Sequence, residues 1–287
     1  MSLLRVVILG VIQGLAELLP VSSSAHVVVT EKLMRLDPSS PELTLLLVML
    51  HTGTMFAVIV YFWQRWRRTL SESQPAWKRF AFLLILATVI TGIVGETLIK
   101  LIEKFWFRNT PHAEVEQLFS HLEIIAPALA LVGVLIILAG FMEKSVPRDS
   151  EFGGLDAKRA GFIGGVQGLC LPFRGFSRSG ATISTAMLAG VDKVRAEEFS
   201  FALAVILTPP VVAREALRLF KAEHADPASH LASAAGISIL GAICAFLAGL
   251  VALKWLSKWL ERGRWYWFGI YCLLAAAGVA LLHYAGY

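Results

Sequence analysis

The chain has 287 residues, of which 56% are hydrophobic and only 16% charged, with a formal net charge of +5 and a mean hydropathy of +0.67. A soluble fold of this length cannot cover so much apolar surface, so the composition excludes a water-soluble enzyme and predicts a membrane protein. The excess positive charge falls in short linkers between apolar stretches, where it is a topology signal and does not argue for nucleic acid.

The first apolar stretch, Val6 to Ala16, is too short to cross a bilayer and runs through Pro20 into Ser22, Ser23 and Ser24. It predicts a re-entrant helix that turns back at mid-membrane depth. A secretory signal peptide starting at Arg5 is the competing reading, and Gln13 and Glu17, in or beside the apolar region, argue against it. Three stretches of spanning length follow, Leu43 to Trp63, Phe80 to Ile99 and Ile124 to Met142. After a basic linker the pattern restarts: Gly-Val-Ile-Gln-Gly-Leu at 10 to 15 returns as Gly-Gly-Val-Gln-Gly-Leu at 164 to 169, again leading through a proline, Pro172, to a serine cluster. Ala160 to Phe173 is therefore a second re-entrant segment. Phe199 to about Leu219, Leu231 to Leu253 and Trp265 to about Leu282 are the remaining spans, the first of them interrupted by Pro209-Pro210 and expected to leave the hydrocarbon early.

These elements predict an all-α integral membrane protein with an inverted-topology repeat: six transmembrane helices plus two re-entrant helix pairs. The first repeat covers 1–142 with its re-entrant pair at 3–34, a cytoplasmic linker covers 143–159, and the second repeat covers 160–287 with its pair at 160–190. Three crossings per half, an odd number, place the second half upside down relative to the first. The linkers at 64–79, 143–159, 191–196 and 254–264 hold fifteen of the 26 Lys and Arg residues, which assigns them to the cytoplasm. Both termini and the loops near 35–42, 100–122 and 221–230 then face outward. The two re-entrant pairs enter from opposite sides and are expected to meet. Gly10 with Gly14 and Gly164 with Gly168 are small-xxx-small pairs, expected to let those two helices pack closely. Cys170, Cys244 and Cys272 show no metal spacing and are expected in the core. Trp63, Trp66, Trp77, Trp106, Trp265 and Trp267 fall near span ends, as interfacial anchors do, and Glu96, Glu103, Glu114, Glu116 and Glu123 are solvated surface on the outer side.

The chemistry gathers at the two turns. Gln13 and Glu17, four residues apart, share a helical face, and a carboxylate at that depth is costly unless it binds something or pairs with an Arg across the halves. Ser22, Ser23, Ser24 and His26 open one returning helix, while Ser177, Arg178, Ser179 and Thr182 open the other. Some of these serines are N-caps. Two helix N-termini aimed at one point also make an anion site, and the guanidinium fork of Arg178, with Arg174 nearby, suits phosphate. Acid, imidazole, hydroxyls and Arg together suit cleavage of a phosphate ester or anhydride, and a site among membrane helices suggests that the rest of the substrate is lipid. His51, inside the first span, is a second histidine candidate.

At these residues the chain resembles the bacitracin-resistance type undecaprenyl-diphosphate phosphatases, integral membrane enzymes of bacterial cell-wall lipid recycling. The resemblance rests on Gln13-Gly14-Leu15-Ala16-Glu17, on Pro20-Val21-Ser22-Ser23-Ser24-Ala25-His26 and on Gly175-Phe176-Ser177-Arg178-Ser179-Gly180-Ala181-Thr182, and the spacing of spans matches over nearly the whole chain. One departure stands out: where the family usually reads Pro-Gly before Phe-Ser-Arg-Ser, this chain reads Pro172-Phe173-Arg174-Gly175. The resemblance implies removal of the terminal phosphate from undecaprenyl diphosphate, a site accessible from the periplasmic face of the bacterial inner membrane, and a divalent cation.

On these residues Ser23 is expected to attack phosphorus with His26 as its base, while Glu17 orients His26 or holds Mg or Ca. Arg178, Ser177, Ser179 and Thr182 neutralise the phosphoryl charge, and Gln13, Ser22, Ser24 and Arg174 complete the substrate contacts. A metal-activated water with Glu17 as base uses the same residues. The expected partners are a polyprenyl diphosphate lipid and the bilayer, with no nucleic acid and with a homodimer left open. Inverted repeats with broken helices are also how transporters are built, so a lipid-phosphate flippase or anion transporter is the alternative.

Overall fold

A computed structural model of the chain describes residues 2–38, 40–72, 74–106, 121–142, 151–225 and 231–286. Within them every regular element is helical, in the order α1 (Leu3–Leu18), α2 (Ser23–Leu33), α3 (Pro41–Glu72), α4 (Gln74–Trp106), α5 (Leu122–Phe141), α6 (Ala157–Cys170), α7 (Arg178–Leu188), α8 (Lys193–Ala225), α9 (Leu231–Glu261) and α10 (Tyr266–Tyr284), with a 3-10 turn at Glu151–Gly154 before α6. Six of these helices, α3, α4, α5, α8, α9 and α10, are long and apolar enough to cross a membrane. Glu114, Glu116, Lys144 and Arg148 lie outside the described residues, as does the Trp106 side chain.

Local sequence sets the helix ends. Ser40 accepts the Leu43 amide at 3.3 Å ahead of Pro41, a cap followed by a residue already fixed at helical φ. Asp156 caps α6 by accepting the Arg159 amide at 2.8 Å. α2 and α7 are both 11 residues long, and both begin after a serine whose side chain accepts an amide of the first turn. They also close alike: Leu36 N–H donates to Glu31 O at 2.9 Å and Val191 N–H to Ala186 O at 2.9 Å, around Arg35 (φ 51) and Gly190 (φ 82) in the left-handed region.

α8 continues through Pro209 and Pro210 to Ala225, further than its composition predicts. The prolines leave Val205 and Ile206 carbonyls without their helical donors, a deficit membrane helices tolerate.

α3 packs on α9 and α8, α5 on α10, α1 on α9, and α6 on α4. Between apolar helices in lipid there is little hydrophobic driving force, so close van der Waals contact must hold them together. Glycines make that contact. A Cβ on Gly53 would stand 2.2 Å from Ala242 O on α9, and mutual approach of Gly133 and Gly269 joins α5 to α10. Contrary to expectation, the repeated glycine pairs do not join the two short helices to each other. Gly10 and Gly14 face Gly241, Cys244, Ala245 and Ala248 of α9, whereas Gly164 and Gly168 face Ala87, Thr91 and Val94 of α4. Each short helix is docked on a long helix of the other half of the chain.

Large apolar side chains such as Phe82, Ile85, Ile93, Leu131, Leu247, Val251 and Leu274 remain exposed on the six long helices, the faces a hydrocarbon environment would cover. Trp63, Trp77 and Trp267 are exposed near helix ends as expected, but Trp265 is buried at 1% and donates its indole N–H to Ser184 at 2.9 Å. Trp265 is therefore a core residue, not an anchor.

Candidate active site

The α1–α2 turn meets the α6–α7 turn. Gly175 N–H donates to Ser24 Oγ at 3.2 Å, and Ser179 Oγ donates to Leu19 O at 3.4 Å, so backbone of each turn is tied to a serine of the other. Gly175 has φ 99, and an added Cβ there would lie 2.5 Å from Ile125 O. Only glycine fits that bend without strain. Ser22, at φ 67 and ψ 94, is the strained residue of the first turn, a conformation that costs a non-glycine residue about 1–3 kcal/mol.

A cavity of about 250 Å³ opens where the turns meet. Glu17, Ser22, Ser23 and Ser24 line it from the first copy of the repeated motif, Arg174, Ser177, Arg178 and Ser179 from the second. Leu171, Phe173 and Phe176 supply an apolar wall, and Leu171 and Phe173 are exposed beyond it. Both α2 and α7 begin at this cavity, so first-turn N–H groups and the positive ends of two helix dipoles border it.

Glu17 is the hub. Arg178 Nη2 donates to Glu17 Oε1 at 2.9 Å, an ion pair between residues 161 positions apart whose side chains are 23% and 17% exposed. The Ser23 hydroxyl donates to Glu17 Oε2, and Gln13 Nε2 donates to the same oxygen at 3.3 Å. The spacing of Gln13 and Glu17 on one face thus produces a contact, and Gln13 acts on the cavity through Glu17 instead of lining it.

Two further residues expected at the site also stand away from the cavity. Thr182 is fully buried, donates to Arg178 O at 2.8 Å and is bonded to Ser200 Oγ at 2.6 Å, holding the start of α7 from behind. His26 is not among the lining residues. Its Nδ1 is 2.8 Å from Ser22 O and its Nε2 is 2.7 Å from the Tyr271 hydroxyl. Since a carbonyl can only accept, Nδ1 carries the proton, and in the neutral ring Nε2 then accepts from the Tyr271 hydroxyl. Neither nitrogen is bonded to Ser23. His51 does line the cavity, with its Nδ1 donating to Leu47 O at 2.9 Å. The signal for His51 was an ionisable residue inside a span; nothing local in the chain marks Tyr271.

Positions 6–278 match the family described as bacitracin resistance protein BacA. The chain belongs to this family. It is 55% identical over 284 residues to undecaprenyl-diphosphatase 2 of Acinetobacter baylyi, covering 98% of each chain. Undecaprenyl-diphosphatase of Rhodopirellula baltica is 32% identical over 284 residues, with 98% of each covered, and undecaprenyl-diphosphatase 1 of Burkholderia pseudomallei is 36% identical over 287 residues, covering 96% and 95%. The BacA match includes both turns and all of the cavity-lining residues named above.

Proposed function

We propose that this BacA-family chain is an undecaprenyl-diphosphatase, hydrolysing undecaprenyl diphosphate to undecaprenyl phosphate and inorganic phosphate in the recycling of a bacterial cell-wall lipid carrier. The observation that carries the chemistry is the shared carboxylate: Glu17 accepts from the Ser23 hydroxyl on one oxygen and from Arg178 on the other, at the mouth of two helix N-termini. The names of the relatives supply the substrate, and the apolar wall of Leu171, Phe173 and Phe176 suits its prenyl chain.

Ser23 Oγ attacks the terminal phosphorus as Glu17 takes its proton, the bridging P–O bond breaks, and undecaprenyl phosphate leaves carrying that proton from Glu17 on its freed oxygen. Water then cleaves the phosphoserine with Glu17 again serving as base, releasing phosphate and restoring Ser23. Arg178 and the hydroxyls of Ser177 and Ser179, with the first-turn N–H groups, stabilise charge on the phosphoryl oxygens. Arg174 adds a second positive group at the rim. Proton acceptance is assigned to Glu17 in place of His26, because the His26 nitrogens are held by Ser22 and Tyr271.

A divalent cation fits this set with the substrate present. Mg²⁺ typically uses one or two carboxylates plus substrate phosphates, and Glu17 with the neighbouring serine hydroxyls meets that need, although no group of three His, Cys, Asp or Glu occurs among the described residues. When bound, the ion would neutralise diphosphate charge.

The larger architecture follows the repeat. α1–α5 and α6–α10 are two inverted copies: α1 docks on α9 as α6 docks on α4, and α2 and α7 share length, cap and closure. The paired short helices are re-entrant, the basic linkers cytoplasmic, and the site opens toward the periplasm. Aligning the copies puts Leu171 opposite Glu17, so the acid is present once, as a hydrolase needs and a symmetric carrier does not.

The test is phosphate release from undecaprenyl diphosphate by purified protein in detergent, with and without chelator, for wild type, Glu17→Gln and Arg178→Ala. Release by wild type and its loss in both variants is the expected result. A wild type that releases no phosphate but moves lipid phosphate across vesicles would replace the phosphatase with a flippase.

A further inference from the structure

The last helix grips the first turn with two consecutive residues. Tyr271 bonds His26 Nε2 at 2.7 Å with the rings stacked at 5.7 Å, and Cys272 Sγ donates to Pro20 O at 3.3 Å. His26 in turn holds the Ser22 carbonyl through Nδ1 at 2.8 Å, and Ser22 is the residue at φ 67 that sets where Ser23 begins α2. A chain of contacts therefore runs from α10 through His26 to the backbone beside the hydroxyl bonded to Glu17.

The other half shows what packing alone requires. The caps Ser22 and Ser177 align His26 with Ala181, and the mutual contact of Gly133 and Gly269 aligns Tyr271 with Leu135 and Cys272 with Ile136. Ile136 lies where a Cβ on Gly180 of α7 would meet it, just as Cys272 meets the Pro20 turn. Apolar side chains thus suffice to seat α7 on α5. The polar set of His26, Tyr271 and Cys272 occurs only where Ser23 and Glu17 stand.

We propose that Tyr271 is a positioning residue for the reaction: its hydroxyl and stacked ring hold the imidazole of His26, whose Nδ1 proton goes to the Ser22 carbonyl, so that His26 clamps that strained carbonyl and keeps the Ser23 hydroxyl on Glu17. The inference rests on the phosphatase reading for its kinetic consequence, but its effect on the His26 resonances is independent of any activity.

Two measurements test it. In wild-type protein labelled with ¹⁵N-histidine, the His26 resonances, identified by their loss in His26→Gln, should show a protonated Nδ1 and an unprotonated Nε2. A protonated Nε2 would overturn the proposal. Tyr271→Phe keeps the stacked ring and removes only the hydroxyl. It should lower kcat about tenfold with KM unchanged, the size of one lost hydrogen bond, and shift the His26 Nε2 resonance. Tyr284→Phe, on the same helix and 86% exposed, should change neither. Unchanged kcat and resonance in Tyr271→Phe would sink the inference while leaving the phosphatase standing. A wild type without phosphate release would sink the phosphatase while the His26 Nε2 resonance of Tyr271→Phe still decides the positioning.

Discussion

At the scale of single residues, Glu17 serves three donors with two oxygens, and the carboxylate and two of those donors, Ser23 and Arg178, each make a different prediction. Glu17→Gln keeps the shape but loses the base and leaves Arg178 without its ion-pair partner, so turnover should fall about 10²- to 10⁴-fold. Ser23→Ala should abolish release if a phosphoserine forms; near-normal release from that variant would move the attack to water. Arg178→Lys keeps the charge and loses the planar fork, and partial activity with a raised KM is expected, since a point charge cannot hold two phosphoryl oxygens at once. Steady-state phosphate release separates the three. These residues are legible in the chain because a carboxylate, an Arg and hydroxyls inside apolar segments have few stable uses. His26 is legible as a site residue but not in its role. Its spacing three positions after Ser23 predicts a shared helical face, yet Ser23 is the first residue of α2, and the imidazole folds back onto the Ser22 carbonyl and out to α10.

At the scale of elements, short helices hold their place through backbone contact. A Cβ on Gly14 would meet Ala245 O at 2.5 Å and Ala248 Cβ at 2.7 Å, and one on Gly164 would meet Ala87 O at 2.4 Å. Backbone cannot give way cheaply, so Gly14→Ala and Gly164→Ala should each destabilise by about 1–3 kcal/mol and displace a turn of the site. Gly92, with nothing within 4 Å of its would-be Cβ, is the control. Thermal unfolding in detergent should show lower midpoints for the first two and none for Gly92→Ala, with activity falling in step. The small-xxx-small spacing is plain in the sequence, but the partner is not. Glycines announce that something comes close without naming it, and the small residues that receive them, Gly241, Ala245 and Gly249 on α9, look like any other membrane-helix composition. The six long helices were readable within a few residues at their apolar centres; their ends extend further, as α8 does through its prolines, because helical hydrogen bonding persists after hydropathy stops.

At the scale of the whole molecule, charge and topology make a joint prediction. The described ends of α3 and α9 that carry Arg65, Arg67, Lys254 and Lys258 lie in or beside the basic linkers, and the buried Glu197 at the start of α8 binds Arg65 at 3.3 Å and Ser257 at 2.5 Å, gathering three helices on that side. If the positive-inside rule governs insertion, this side faces the cytoplasm and the turn at Asp37 faces the periplasm. Single cysteines test it on a background in which Cys170, Cys244 and Cys272 alone give the blank. In spheroplasts, a membrane-impermeant maleimide should label Asp37→Cys directly and Lys158→Cys only after lysis. The reverse pattern would turn the molecule over. Equal labelling of both would point to a dual-orientation population, which the bias of fifteen basic residues on one side weighs against, since insertion responds to Lys and Arg within short loops of this kind.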